Sequence, residues 1–178
     1  MIGAAIAVLG CTEVAAPPHP EEKSPPPPLI MEGVRLSYSE RGLVQHVLIA
    51  ASVTREASTE SATESQDFIT VDGGFTLYLG GDENQHSSQL TAQRGTLDEA
   101  NLRLVAENDV VLRNAAGDRL ETEYLVWSED SDRVHTHQAV AVYTEDGVLF
   151  GRGLESDGRF ERYQILHPTG ELNVPDLR

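Results

Sequence analysis

The chain has little cysteine, few aromatic residues and few basic ones. Its single cysteine, Cys11, excludes an intramolecular disulfide. The 13 Lys and Arg residues face 29 Asp and Glu residues, which gives a formal net charge of −16. A nucleic-acid binder needs a basic face to replace phosphate counterions, so that class is excluded, as is docking by charge onto an anionic membrane. The 178 residues suffice for one ordinary domain with a core.

Long hydrophobic runs are also missing. The apolar stretch "IGAAIAVLGC" is shorter than the roughly 20 residues that span a bilayer as a helix. It is typical of an export signal, predicted over residues 1–11, although no Lys or Arg precedes it. Val8 to Cys11 resembles a bacterial lipobox, which predicts that Cys11 is lipidated and anchors the chain to a membrane. The alternative is a frayed N-terminus with a buried thiol. Residues 12–28 are Pro-rich and predict an extended tether.

Helical periodicity is weak in the remainder, and alternation of apolar and polar residues dominates. The stretch from Met31 to Val53 alternates around Val34, Leu36 and Tyr38 and turns at Arg41 and Gly42, which predicts a strand, a turn and a strand. The acidic Ser/Thr-rich segment 54–67 predicts an inserted loop. Two short strands are predicted around Gly73 and Gly74. The predicted domain covers residues 29–172, followed by a tail over 173–178.

A thirty-residue repeat occupies the second half of the chain. Shifting the sequence by thirty positions superposes Leu90 on Leu120 and Phe150, Leu104 on Val134, Val110 on Val140, and Gly117 on Gly147. A repeat of this length holds a few short strands and cannot bury its apolar face alone. We therefore predict an all-β fold of stacked windings, two antiparallel sheets with open edges. In "LETEYLVWS" the inward set changes parity, which predicts a bulge between Tyr124 and Leu125.

No catalytic constellation stands out. His135 and His137 share a strand face but have no third metal ligand, and Glu121 with Glu123 shows no sign of burial. Ser156 lacks the small neighbours of a nucleophile elbow, and Gly151 to Gly153 lacks the remainder of a dinucleotide fingerprint. We predict a protein that is not an enzyme and needs no cofactor or metal. Its Leu, Val, Ala and Thr interior is either a plain core or a slot for acyl chains.

Several stretches together resemble the LptC family, the periplasmic component of bacterial lipopolysaccharide export. The likeness runs from Met31 to about Gly170 and is carried by "GDRLETEYLVW" and by "RVHTHQAVAVYTEDGVLFGRGLESDGRFERYQI". It implies a V-shaped β-jellyroll whose interior holds the acyl chains of lipid A. It also implies a passive carrier that receives lipopolysaccharide from an inner-membrane ABC transporter and passes it to an LptA-like periplasmic bridge protein. Members commonly carry a transmembrane helix, whereas this chain has Cys11.

The resemblance implies roles for individual residues. The predicted lining of the acyl slot is Ala106, Val110, Leu112, Leu120, Trp127, Val134, Val140, Val142, Leu149 and Leu154. Val34, Leu36 and Tyr38 are expected on the N-terminal edge strand, and Phe160, Arg162, Tyr163 and Ile165 on the C-terminal one. Arg94 and Arg113 are candidate headgroup contacts, and reversing charges on the outer face should leave lipid binding nearly intact.

Two alternatives remain open at this point. One is the bridge protein itself, a soluble relative with the same repeat. The other is a structural lipoprotein with a closed β-sandwich core that mediates protein contacts only.

Overall fold

The computed structural model describes residues 27–55 and 68–170. Cys11, the export signal, most of the tether, the segment 56–67 and the tail lie outside these residues, so the predictions made for them stay predictions. Ten strands and no helix are found in the described part of the chain, which confirms the predicted all-β fold. None of its elements is a helix that could cross a membrane.

The strands form one antiparallel sheet, in the order β1-β2-β3-β4-β6-β7-β8-β9-β10, with β5 between β3 and β6 beside β4. Among the strands of residues 27–55 and 68–170, only β1 and β10 have one neighbour each, and they are the edge strands. The strand bounds are β1 Leu29–Glu40, β2 Leu43–Arg55, β3 Phe68–Leu79, β4 Ser88–Ala92, β5 Arg94–Asp98, β6 Arg103–Asn114, β7 Arg119–Ser128, β8 Arg133–Thr144, β9 Gly147–Asp157 and β10 Tyr163–Pro168.

A line of backbone irregularities, which we call the seam, crosses β1 to β9 near their middles. Along it the ladders shift register or lose a pair, and four of its residues in β3 and β6 have positive φ. Such φ values suit glycine and, less readily, Asn or Asp. The seam consists of Gly33, Ala51, Gly73, Gly74, Gln93, Asn108, Asp109, Glu123, His137, Gln138 and Gly153.

The seam explains the change of parity in β7. Two residues of β6, Asn108 and Asp109, lie opposite the single residue Glu123 of β7, which is the pattern of a β-bulge. This stretch of β7 is therefore one residue shorter than the stretch of β6 that it faces. Leu120 and Thr122 are buried on one side of the seam, and Leu125 and Trp127 on the other. The β7–β8 ladder shifts register over the same stretch. A bulge or a corner was predicted between Tyr124 and Leu125; the bulge lies instead in β6 opposite Glu123, and the β6–β7 ladder is regular through Tyr124 and Leu125.

The sheet folds along the seam into two facing leaves. The first leaf holds the strand halves beside the turns 41–42, 80–87, 115–118 and 145–146, and the second those beside 99–102, 129–132 and 158–162. The turns of the two leaves form the mouth of the fold. One continuous apolar core contains residues of both leaves. This arrangement is consistent with the predicted β-jellyroll.

Two expectations about the strands were wrong. Gly73 and Gly74 do not separate two strands, because β3 continues through them as one strand paired with β2. The thirty-residue shift also superposes Phe150 on Leu120, but the two residues face opposite sides of the sheet. Phe150 lies on the outer face and is 49% exposed, whereas Leu120 is fully buried. In β9 the inward positions are Leu149, which pairs with Val142, and Gly151, which pairs with Val140.

Candidate functional site

An open cleft of about 470 Å³ lies at the mouth of the fold, between β1–β3 of the first leaf and the β5–β6 turn of the second. This volume falls within the range of small-molecule pockets, about 300–1,000 Å³. Its lining is Leu36, Ser37, Tyr38, His46, Leu48, Leu77, Leu97, Glu99, Ala100, Leu102 and Trp127. The leaves therefore diverge at the N-terminal end of the sheet instead of meeting.

Four of the five leucines of the cleft, all except Leu102, belong to two rows of paired residues that cross the inner faces of the leaves. In the first leaf, cross-strand pairing aligns Leu36, Leu48, Leu77, Leu90, Leu112, Leu120, Val142 and Leu149. In the second leaf it aligns Ile69, Leu97, Leu104, Trp127 and Val134. Since residues in one row of a ladder share a face, alternation in each strand produces a continuous apolar band. The cleft exposes the N-terminal end of both bands.

Two aromatic side chains close the inner end of the cleft. The rings of His46 and Trp127 meet edge to face, with centroids 4.8 Å apart and planes at 72°. Tyr38, paired with His46 across the β1–β2 ladder, stacks on the other side of that imidazole at 5.8 Å. The backbone N–H of Gly80 donates to His46 Nδ1 at 3.4 Å. His46 belongs to the first leaf and Trp127 to the second, so this contact bridges the mouth.

Charged groups lie at the rim of the cleft. Glu99 forms an ion pair with Arg55, and the side chains of Arg55 and Glu99 are 41% and 34% solvent-exposed. Beyond His46 and Trp127, a second cavity of about 310 Å³ is lined by polar groups, among them Glu129, Asp132 and Arg159. Nearby, Arg35 donates two hydrogen bonds to Glu83 and lowers the pKa of that carboxyl to about 2.

The predicted slot residues lie in the packed core. Nine of the ten are 4% exposed or less, and Leu149 is partly buried against them. Trp127 is the one member that also lines the cleft. The cleft is built instead from residues that the sequence analysis did not assign to the slot or assigned to an edge: Leu36, Tyr38, His46, Leu48, Leu77, Leu97 and Leu102. For the residues of β1 and β2 and for Leu77 of β3, the only available signal was the alternation of these strands, because the thirty-residue repeat begins after them.

The predicted edge residues divide into two groups. Val34, Leu36 and Tyr38 lie in β1, and Tyr163 and Ile165 lie in β10, as expected for edge strands. Phe160 and Arg162 do not belong to β10, because the strand begins only at Tyr163. Phe160 instead occupies the turn before it, at φ 56°, and is fully buried. An aromatic residue turned into the core cannot contribute to an edge ladder.

The other candidate residues lie apart from the cleft, on β7, β8 and β9, and Ser156 among them is buried. His135 and His137 are exposed, and the rings of His137 and Tyr124 contact each other with their centroids 5.2 Å apart. Glu121 pairs with Arg119, while the Ser156 hydroxyl donates to the carbonyl of Asp157. The described ranges contain no group of three His, Cys, Asp or Glu side chains placed to hold a metal ion.

The two candidate headgroup contacts lie away from the cleft. Arg94 donates to Asp72 at 2.8 Å, and Arg113 is exposed on the outer face of β6. Neither residue lines the cleft.

A folded antiparallel sheet with an apolar cleft at its mouth defines this chain as a β-jellyroll with a binding cleft. The family model described as "Lipopolysaccharide-assembly, LptC-related" matches residues 2–169, so the chain belongs to the LptC-related family. It is therefore a component of lipopolysaccharide transport in the cell envelope, in a family that is not known as an enzyme family. No curated protein matches the sequence.

The imidazole in the cleft predicts a specific pH dependence of stability. Desolvation lowers the pKa of His46 from its usual 6.5 to about 4, so the folded chain keeps this ring neutral while the unfolded chain protonates it. The free energy of unfolding should therefore fall as the pH is lowered from about 6.5 towards 4. Urea unfolding at pH 7.5, 6 and 5 should show a shallower decline for His46→Gln.

Other groups define the controls for that experiment. Glu83, Asp98 and Asp157 also have lowered pKa values, but such carboxylates weaken the fold as the pH falls through their usual pKa, near 4.5 and 3.8, which lies below the lowest pH of the measurement, 5. His135 has a lowered pKa through desolvation and lies on the exposed outer face, so His135→Gln is the matched variant. A slope unchanged in His46→Gln would contradict the assignment.

Proposed function

We propose that the chain is a non-enzymatic periplasmic carrier that holds acyl chains of lipid A in the cleft between β1–β3 and the β5–β6 turn. It receives lipopolysaccharide from an inner-membrane ABC transporter and passes it to an LptA-like bridge protein. The observation that carries this proposal is the open apolar cleft at the end of two continuous leucine-rich bands. Hydrocarbon tails need apolar area and no catalytic group.

The charge of the protein constrains how the lipid is held. Lipid A is anionic and the chain carries a formal charge of −16, so headgroup attraction contributes little. Five leucines line the cleft, whereas its one carboxylate is paired with Arg55 at the rim. Binding then depends on burial of methylene groups, worth about 0.8 kcal/mol each, while the headgroup stays in water. Reversing outer-face charges is expected to change this binding little.

The two edge strands suit strand-to-strand docking of partners. β1 and β10 each have an unpaired side, and an exposed edge is a template for a further strand. β1 also exposes Leu29 and Ile30, at 56% and 62%. We assign β1 to the transporter and β10 to the bridge protein. Lipidated Cys11, outside the described residues, would hold the protein at the inner membrane.

The tight core supports a second candidate, a structural scaffold that mediates protein contacts only. Leu112, Leu120, Val134, Val142 and Leu154 are fully buried, so none of these side chains is open to a ligand from solvent in this conformation. A scaffold would bind its partners through β1 and β10 and leave the cleft empty.

Site-specific photo-crosslinking distinguishes the candidates. A photoreactive residue replaces Leu102 at the cleft, Val140 in the core, or Val111 on the outer face. The carrier predicts crosslinks to lipopolysaccharide from position 102 and none from 111. Crosslinks from 140 as well would mean that the leaves separate during transfer. No crosslink from 102 or 140, with partner binding intact, would leave the scaffold as the function.

A further inference from the structure

The interior of the fold is divided by one pair of side chains. The apolar cleft of about 470 Å³ and the polar cavity of about 310 Å³ share two lining residues, His46 and Trp127. Their rings are in edge-to-face contact, with centroids 4.8 Å apart. The two strands that carry them, β2 and β7, are not hydrogen-bonded to each other, so this boundary between the cavities, which we call the wall, is a contact of side chains.

The pair is held in place from several directions. The Gly80 N–H fixes one imidazole nitrogen, and Tyr38 stacks on the ring from the edge strand. Trp127 is 3% exposed and is paired with Leu104 and Val134 in its ladder. A wall built from ordered, packed rings cannot yield to one more methylene without disturbing these contacts.

The chemistry changes abruptly at this wall. On one side five of the eleven lining residues are leucine, and on the other the lining includes Glu129, Asp132, Arg159 and Gln45. An alkyl chain gains free energy from each methylene that it buries among the leucines, and gains nothing from a cavity lined by charged groups.

We propose that the His46–Trp127 pair terminates the apolar cleft and thereby sets the longest alkyl chain that the site buries completely. This inference rests on the proposed function, since it specifies the ligand of the same cleft. A chain that is shorter than the cleft binds more weakly, and a longer chain leaves its excess methylenes outside.

The chain carries its own reporter for a test. Trp127 is the only tryptophan of the sequence, so its fluorescence reports a ligand that reaches the wall. The full-length protein is titrated with non-ionic alkyl maltosides from octyl to tetradecyl, each below its micelle concentration. In the wild type, affinity should rise roughly fourfold per methylene and then become constant at one chain length.

Three variants decide the role of the wall. His46→Ala and the less disruptive His46→Val both remove the ring and should move that limit to a longer chain. His46→Phe keeps a ring in place and should preserve the limit. His137→Ala removes a comparable aromatic contact, with Tyr124 on the outer face, and should change nothing.

The outcomes separate the two proposals. A wild-type protein whose Trp127 emission responds to no alkyl maltoside would overturn the proposed cleft itself. A wild type that binds with a length limit that neither His46→Ala nor His46→Val moves would overturn the partition alone. A shift in His46→Phe equal to that in His46→Ala would also overturn it, because the ring would then be irrelevant.

Discussion

Replacing Phe160 with alanine is expected to lower the free energy of unfolding by about 3–5 kcal/mol, the range for a fully buried aromatic side chain. Phe160 is fully buried and stacks on Tyr163 at 5.1 Å. It sits in the 158–162 turn of the second leaf, and this turn closes the C-terminal part of the mouth. Removing the ring leaves a cavity at the point where the leaves are fastened together.

Hydrogen bonds across the mouth support that reasoning. The Ser88 hydroxyl donates to the carbonyl of Gly158 at 2.6 Å, and the Asn114 side-chain amide donates to the carbonyl of Phe160 at 3.0 Å. Both donors belong to the first leaf. Phe160 also holds a positive φ that is unfavourable for an aromatic residue, so its packing must outweigh local strain.

Phe150→Ala is the matched control for this prediction, since Phe150 is 49% exposed on the outer face. Its effect on urea unfolding should stay within about 0.5 kcal/mol. Equal losses in the two variants would show that Phe160 does not fasten the leaves.

The second large effect concerns lipid binding. Leu36→Glu is expected to weaken lipopolysaccharide binding at least tenfold, a change of about 1.4 kcal/mol, because it places a carboxylate among the leucines of the cleft. Leu36 is only partly buried and lies on an edge strand, so the fold should tolerate the change. Binding is measured by the fluorescence of Trp127.

Ile49→Glu supplies the comparison. Ile49 lies on the neighbouring strand, is paired with Arg35 and points to the outer face, where it is 36% exposed. Both variants add one negative charge, and both replace an aliphatic side chain of the same size with glutamate. Similar losses in both would mean that net charge, and not the cleft, governs binding.

The strand pattern was largely predictable, and the site was not. Alternation around Val34, Leu36 and Tyr38 and again in β6 to β8 predicted strands and their inward faces, because burial of one face is a local property of each strand. The parity change after Tyr124 was visible for the same reason. Alternation carries no information on how far two facing walls stand apart.

That distance depends on contacts between remote segments. His46 meets Trp127 and Ser88 meets Gly158 only once the sheet has folded along the seam. The repeat drew attention to Val140 and Leu112, which are packed, and away from Leu48 and Leu77 in the unrepeated half. Phe160 was misassigned because a buried turn residue and an edge-strand residue look alike in a short apolar segment.

The seam restricts how strands could be added to this fold or removed from it. Since the fold line runs through backbone conformation at the middle of β1 to β9, any inserted hairpin must bring its own mid-strand irregularity at the matching position. Insertions at the hairpin tips face no such requirement. Lengthening the molecule by whole hairpins, and varying freely only at the rim, is therefore the route that this architecture leaves open to evolution and to engineering.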